Sequence, residues 1–307
     1  MATSSMYRPR RSVLFMPAAN ERALEKARTL PTDALILDLE DAVAPDAKTA
    51  ARERACAAAA GGAYGAREVT IRVNGMDTRW FADDVRAVAA AGPDAVVVPK
   101  VGSAEEVHMI EAALEAGGAP DHTAIWAMVE TPLAMLRVHQ IAGASQRLTV
   151  LVMGGINDLA KELHAEHVPG RQPLLTGLCL CLLAARATGT AILDGVYNDV
   201  KDMEGFAAEC RQGRELGFDG KTLIHPSQVE PCNEIFAPTA EQIAEARTIV
   251  SVWEETLAAG LGVTTVHGQM IEILHVENAR RILDTSAAIQ ALQGAISGWG
   301  VDDPHSR

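Results

Sequence analysis

Acidic residues recur at one kind of place in this sequence, directly after a short apolar run. Ala34 to Leu37 are apolar and are followed at once by Asp38, Glu40 and Asp41. Bounded by Pro31 and Pro45, the run reads as a strand buried on both faces. Three carboxylates at its end repel one another unless a cation sits between them. The competing reading is that one caps the next helix and the others are solvated. The pattern returns: Ala124–Val129 runs into Glu130, Leu148–Val152 into Gly154-Gly155-Ile156-Asn157-Asp158, and Ala191–Leu193 into Asp194. Oxygen ligands without clustered Cys or His favour a hard cation, Mg²⁺ above all, with Mn²⁺ as its substitute. Glu130 and Asp158 end neighbouring strands and are the candidates for direct metal ligands. Against this stand two local readings, a helix N-terminal acid for Glu130 and an N-cap for Asp158. Glu40 and Asp41 then form an outer shell around metal-bound water. Arg72, inside the apolar strand Thr70-Ile71-Arg72-Val73-Asn74, needs an anion; its fork suits a small carboxylate, and a salt bridge to Asp38 or Glu40 is the structural alternative. Metal and Arg72 together point to a small 2-oxo or 2-hydroxy acid, chelated by the cation and clamped by the arginine.

These side chains meet only if the elements carrying them converge. Apolar runs at Ser12–Phe15, Ala34–Leu37, Val69–Val73, Ala95–Val98, Ala124–Val129, Leu148–Val152, Ala191–Leu193 and Lys221–Ile224 predict eight strands. Segments rich in Ala, Glu, Arg and Leu separate them, among them Asn20–Thr29, Ala47–Ala60, Arg79–Ala91 and Ser103–Ala116. Eight β/α units predict an α/β fold, a (β/α)8 TIM barrel, in which the carboxyl ends of all strands open on one face. Pro99-Lys100 and His225-Pro226 end two further strands there, whereas the turns at Gly61–Gly65 and Gly117–Pro120 carry no such chemistry. No Gly-x-Gly-x-x-Gly follows the first strand, which weakens a dinucleotide-binding reading. Residues 1–237 are therefore read as the catalytic barrel and 238–307 as a helical lid or oligomer arm. In the latter, Thr239–Gly260 is a long helix, Val263–Gly268 a brief extended piece, His275–Gln293 a second helix and Ser297–Arg307 a frayed tail.

Composition narrows the class. The 307 residues are 48% hydrophobic, enough to bury one large core, and carry a net charge of −13 with no block of like charge. That argues against nucleic acid or an anionic membrane as partner. The five cysteines are odd in number, scattered and without zinc spacing, as in a reduced cytoplasmic protein. No signal peptide is recognisable near the amino terminus, and the greasy run from Leu174 to Ala185 is too short to span a bilayer.

Seven segments occur in register: Arg11–Pro17, Leu37–Val43, Ile71–Asn74, Val98–Lys100, Val129–Thr131, Gly155–Leu159 and Ile224–Gln228. Together they resemble the citrate lyase β-subunit-like CoA-ester lyases of the HpcH/HpaI aldolase superfamily, over residues 11 to about 285. Gly195–Asn198, Glu204–Ala207 and Phe218–Thr222 are similar to the malyl-CoA lyase and malyl-CoA thioesterase branch. The resemblance implies a Mg²⁺ held by Glu130 and Asp158, an oxo-acid end bound by Arg72, and a CoA thioester across the barrel mouth, with Phe15, Arg22 and Lys26 as contacts. It also implies a homo-oligomer, trimeric or hexameric, whose carboxyl-terminal lid brings a catalytic acid to a neighbouring subunit. That acid is usually Asp in a Gly-x-Met-Ile/Val-Asp motif, but here the motif ends in Glu272, one methylene longer; a helix first-turn acid is the alternative role. The expected activity is reversible cleavage of malyl-CoA or β-methylmalyl-CoA into an acyl-CoA and glyoxylate or another 2-oxo acid, with a carboxylate such as Asp41 as base. The alternatives are (3S)-malyl-CoA thioesterase and a citrate lyase β subunit working beside an acyl-carrier protein.

Overall fold

The computed structural model describes residues 7–299 and divides into two units, one spanning Arg10–Phe236 and one containing the chain from Ala237 on. The first is a closed barrel of eight parallel strands in sequence order. The strands are β1 (Ser12–Pro17), β2 (Ala34–Asp38), β3 (Glu68–Arg72), β4 (Ala95–Val98), β5 (Ala124–Met128), β6 (Leu148–Val152), β7 (Ala191–Asp194) and β8 (Gly220–Leu223). The helices are α1 (Glu21–Ala27), α2 (Lys48–Ala60), α3 (Phe81–Ala91), α4 (Ala104–Ala116), α5 (Pro132–Ala142), α6 (Ile156–Leu163), α7 (Leu175–Thr188), α8 (Met203–Leu216) and α9 (Val229–Phe236). This is the TIM barrel expected from the strand count, with several bounds moved by one or two residues.

Period-two alternation sorts the strand residues into two cores. Val13, Ile36, Val97, Trp126, Met128, Val152 and Leu193 form a cluster built from strands alone, the barrel interior. Their neighbours, such as Leu14, Leu35, Ile71, Val96 and Ile125, pack outward with the helices in the larger cluster. Arg10, paired with Glu68 at 2.6 Å, lies 5.4 Å from the Trp126 ring and fills the amino-terminal end of the barrel. Counting in twos from Ile36 and Met128 carries the inward face to Asp38 and Glu130, so these carboxylates emerge at the mouth. The β2–β3 register sets Asp38 directly opposite Arg72.

The same count turns Asp194 the other way, which corrects its assignment to the mouth. It follows inward-facing Leu193 and therefore points to the helix layer, against Gly213 of α8. There Asp194 accepts from Arg171 Nη1 at 2.6 Å, from the Gly195 amide at 2.8 Å and from Lys221 Nζ at 3.2 Å. Lys221 also reaches Glu209 at 2.7 Å. Burial opposes the charge on Asp194, but Lys221 and Arg171 outweigh it and hold the carboxyl below its usual range. This is a buried ionic tie between β7, β8 and α8.

The second unit pairs α10 (Ala240–Ala258) with α11 (Ile273–Trp299) around a hairpin of β9 (Thr264–Val266) and β10 (Gln269–Ile271). The single extended piece expected here is thus a hairpin. Its two-residue turn has both His267 (φ 48°) and Gly268 (φ 80°) in the left-handed region, as this turn class requires. Residues 297–299 continue α11 rather than fraying, and the rest of the tail, 300–307, lies outside the described residues.

Asp194→Ala leaves Lys221 and Arg171 buried with Glu209, at 2.7 and 3.6 Å, as their remaining anion. Urea unfolding should register a loss of about 3–5 kcal/mol, and a change below 1 kcal/mol would contradict the tie.

Candidate active site

The mouth is assembled from strand ends. Asp38, at the end of β2, accepts Arg72 Nε at 2.6 Å and Nη2 at 2.7 Å, and also the amides of Glu40 at 2.9 Å and Ala42 at 3.1 Å. With four donors on it, Asp38 is a fastener of the acid loop and has no lone pair to spare. Arg72 Nη1 meets Glu40 at 2.8 Å and Asp41 at 3.6 Å, and the Phe15 ring lies 4.8 Å from its guanidinium carbon. The internal salt bridge is therefore present, and the Nη1–Nη2 edge is what a substrate carboxylate could meet. Burial works against the Arg72 charge, but Asp38, Glu40 and Asp41 outweigh it and strengthen the proton's hold.

Glu130 is 2% exposed. The cap of α5 is Thr131, whose hydroxyl accepts the Ala134 amide at 3.2 Å, so Glu130 is not needed there. Its carboxylate takes the Lys100 amide at 2.9 Å and lies flat on Gly155, where even a Cβ would collide with it. Asp158 sits in the first turn of α6, after Gly155 at the N-cap, with its side chain 39% exposed. Lys100 bridges the two acids: its amide is on Glu130 and its ammonium is 3.9 Å from Asp158. A left-handed backbone at Lys100 (φ 56°) makes that double contact. Reciprocal bonds of 3.1 and 2.7 Å between Asn157 and Asn198 tie the first turn of α6 to the loop after β7.

Five carboxylates (Asp38, Glu40, Asp41, Glu130, Asp158) thus face two cations, Arg72 and Lys100. Burial and like charge together raise the two inner carboxyls. Burial first, then Glu40 and Asp158, push Glu130 up to about 8. Burial first, with Asp41 and Asp38 adding and Arg72 opposing, pushes Glu40 up to about 7. For Lys100, burial works against the charge, but Asp158, Glu40 and Glu130 outweigh it and raise its pKa. Among the described residues no group of three or more His, Cys, Asp or Glu side chains forms a ready cage. Mg²⁺ needs none, since it binds through one or two carboxylates and fills the rest of its shell with water and substrate. An all-oxygen donor set with uncompensated charge fits that ion, with Glu130 and Asp158 as the residues to hold it.

Of the remaining expected residues, Phe15 faces the mouth, while Arg22 and Lys26 lie exposed on α1, away from the acid cluster's contacts. Glu272 belongs to the second unit. Its amide donates to His275 Nδ1 at 3.2 Å and its carbonyl accepts the His275 amide at 3.0 Å, so it occupies the N-cap position of α11 rather than the first turn. Its carboxylate makes no hydrogen bond or ion pair among the described residues. His225, at the end of β8, serves as a cap, accepting the Ser227 amide at 3.2 Å. The roles of Lys100 and Gly155 are new relative to the sequence reading. Val98-Pro99-Lys100 gave a signal only for a residue at the mouth, since a positive φ at lysine has none.

A model of the HpcH/HpaI aldolase/citrate lyase family matches residues 11–226. The chain belongs to that family. A second model, for a C–C bond lyase of the TIM-barrel fold, matches residues 172–289. A (3S)-malyl-CoA thioesterase of Cereibacter sphaeroides is 50% identical over 283 residues, covering 92% of this chain and 96% of that one. The citrate lyase β subunit of Escherichia coli is 36% identical, covering 90% and 93%. Among solved structures, CitE of Mycobacterium tuberculosis, in complex with magnesium, acetoacetate and coenzyme A, superposes with a TM-score of 0.73 at 27% identity, covering 90% of this chain and 97% of that one. The chain is an enzyme acting on CoA esters, by lysis or hydrolysis.

The raised carboxyls fix the sign of a pH test. Both hold their protons more tightly folded than at the ordinary value of 4.5, so their contribution to metal-free stability is full below that pH and is lost as pH rises through about 7 and 8. Mg²⁺ must displace those protons, so its apparent affinity should rise up to about tenfold per pH unit for each proton released, levelling above about pH 8. Calorimetric titration from pH 6 to 9 checks this; an affinity independent of pH would contradict it.

Proposed function

We propose that the chain is a Mg²⁺-dependent enzyme of malyl-CoA, and that the bond it breaks is the thioester, giving malate and free CoA. The observation that carries the substrate class is the Arg72 edge beside the Glu130–Asp158 pair at one barrel mouth. It suits an acid with a carboxylate and a neighbouring oxygen. Hydrolysis is favoured by the 50% identity with the Cereibacter sphaeroides thioesterase across nearly the whole chain. Bound Mg²⁺ would polarise the substrate oxygen it contacts as a Lewis acid.

The chain's own residues supply the rest. Asp38 holds Arg72 by Nε and Nη2, so that its Nη1–Nη2 edge, where Glu40 sits at 2.8 Å, orients the substrate carboxylate. Phe15, over the guanidinium, screens it from water, and Arg22 and Lys26, exposed on α1, remain candidate contacts for the CoA phosphates. Asp41, with its side chain 74% exposed, accepts the proton of the attacking water. In the second unit Glu272 offers an uncommitted carboxylate, which we assign to a lid reaching a neighbouring subunit. Exposed Leu257, Leu261, Met270 and Leu274 of that unit support self-assembly, which we assign to a trimer or hexamer. Among the described residues no helix is long and apolar enough to cross a membrane, and five free cysteines support a cytoplasmic setting.

Carbon–carbon cleavage to acetyl-CoA and glyoxylate is the second reading, favoured by the C–C bond lyase match over residues 172–289. In that reaction the carboxylate base takes the substrate hydroxyl proton instead.

Incubation with malyl-CoA and Mg²⁺, followed by product analysis, decides. Malate with free CoA is the expected outcome. Acetyl-CoA with glyoxylate would replace hydrolysis by the second reading, and no Mg²⁺-dependent turnover of malyl-CoA would overturn both. In the same assay Glu272→Gln should lose on the order of 10²–10⁴-fold in turnover if it transfers a proton, whereas unchanged turnover would reduce Glu272 to a helix cap.

A further inference from the structure

The acid loop after β2 carries Glu40 and Asp41; the mouth holds its inner edge through the two amides that bind Asp38 and through the Arg72 contacts to both carboxylates. Its outer edge is held by a residue the reaction does not touch. Lys48, the first residue of α2, is 6% exposed. Its ammonium has three N–H groups, and all three are used: Leu39 O at 2.9 Å, Glu40 O at 3.0 Å and Asn74 Oδ1 at 2.6 Å. The Trp80 ring lies 5.0 Å from Nζ.

Behind Lys48 runs a second set of bonds. Asn74 Nδ2 donates to Asp84 Oδ2 at 2.6 Å, the Asn74 amide donates to the same oxygen at 3.0 Å, and Arg52 Nε donates to Asp84 Oδ1 at 2.6 Å. Asp84 is fully buried and Asn74 is 2% exposed. The Asn74 amide can sit only one way round, since a flip would turn its NH₂ on the ammonium and its oxygen on the carboxylate. Asn74 closes the segment Ile71–Asn74 that also supplies Arg72. One strand end therefore holds both edges of the acid loop, Arg72 through Asp38 and Asn74 through Lys48.

We infer that Lys48, backed by Asn74 and Asp84, is the positioning residue that aims the acid loop: by gripping the Leu39 and Glu40 carbonyls it fixes where Glu40 and Asp41 stand relative to the substrate. This rests on the reading of the mouth as the site of malyl-CoA chemistry. A displacement of about 1 Å in an acting group can cost on the order of 10²-fold in rate, so the effect belongs in turnover and not in binding of the CoA ester.

Lys48→Met keeps the stem and removes all three donors, while Lys48→Arg restores a charge and donors of a different shape. The expected result for Lys48→Met is a kcat lowered about 10–100-fold with KM for malyl-CoA within about threefold of wild type. Lys48→Arg should recover part of kcat. Hydrogen exchange read by mass spectrometry should show faster exchange in peptides covering residues 39–47, with barrel-strand protection unchanged. Wild-type kcat, KM and loop exchange in Lys48→Met would overturn the inference. So would a purely thermal effect, a lowered Tm with kcat and KM intact. Should Lys48→Met fail to fold, Asn74→Ser, which removes one anchor of the ammonium, takes its place with the same loop readout and the same contradicting result. A wild-type enzyme inactive on malyl-CoA would sink the proposed function instead, and loop exchange in the variants would still decide the role of Lys48.

Discussion

Like charge at close range is the constraint on which this structure depends. Five carboxylates converge on the barrel mouth with two cations among them, and Glu130 is buried to 2% exposure. Ionised carboxylates gathered in a low-dielectric site are unstable unless protonated, hydrogen-bonded or matched by cations. The protein applies each remedy to a different member. Asp38 is saturated by four donors, Glu40 is paired with Arg72, and Glu130 takes the Lys100 amide while its pKa climbs to about 8. What remains uncompensated lies around Glu130 and Asp158, where a divalent ion has most to gain.

This division of labour explains the surrounding geometry. Lys100 accepts a left-handed backbone so that its amide and ammonium serve adjacent acids. Gly155 has no side chain because the Glu130 carboxylate fills that space. Thr131 takes over the capping of α5, which frees Glu130 to face inward. On the far side, Lys48 and Asn74 brace the acid loop from the helix layer. The Asp194–Lys221–Arg171 cluster shows the contrasting case, a carboxylate with balanced charge, pKa lowered and no work left to do beyond holding β7 to α8.

Much of this was legible in the sequence. Apolar runs gave all eight strands, because buried parallel strands are nearly continuous in Val, Ile, Leu and Ala. Acids directly after those runs marked the mouth, and Arg72 in an apolar strand called for an anion; the salt bridge to Asp38 and Glu40, the alternative to a substrate carboxylate, is the one present. Where Asp194 was misplaced, the cause is direction. Asp194 and Glu130 both end strands, but only counting in twos from the inward residues separates them, and that needs the register. The partners of Lys48 lie 8 to 26 residues away and were hidden, since a lysine opening a helix ordinarily reads as a surface charge. The second strand of the carboxyl-terminal hairpin, Gln269–Ile271, was missed because it lacks the β-branched run that marks Thr264–Val266.

The central claim is that the uncompensated acids at the mouth form a cation site centred on Glu130 and Asp158. Calorimetric titration of metal-free protein with Mg²⁺ at pH 8 tests it most directly, comparing wild type with Glu130→Gln, which keeps shape and removes charge. Wild type should bind one Mg²⁺ per chain. Affinity should be weakened by at least about 100-fold in Glu130→Gln, whose metal-free Tm equals or exceeds that of wild type because a buried charge is gone. Equal affinity in the two proteins, or binding that survives the loss of both Glu130 and Asp158 carboxylates, would contradict it.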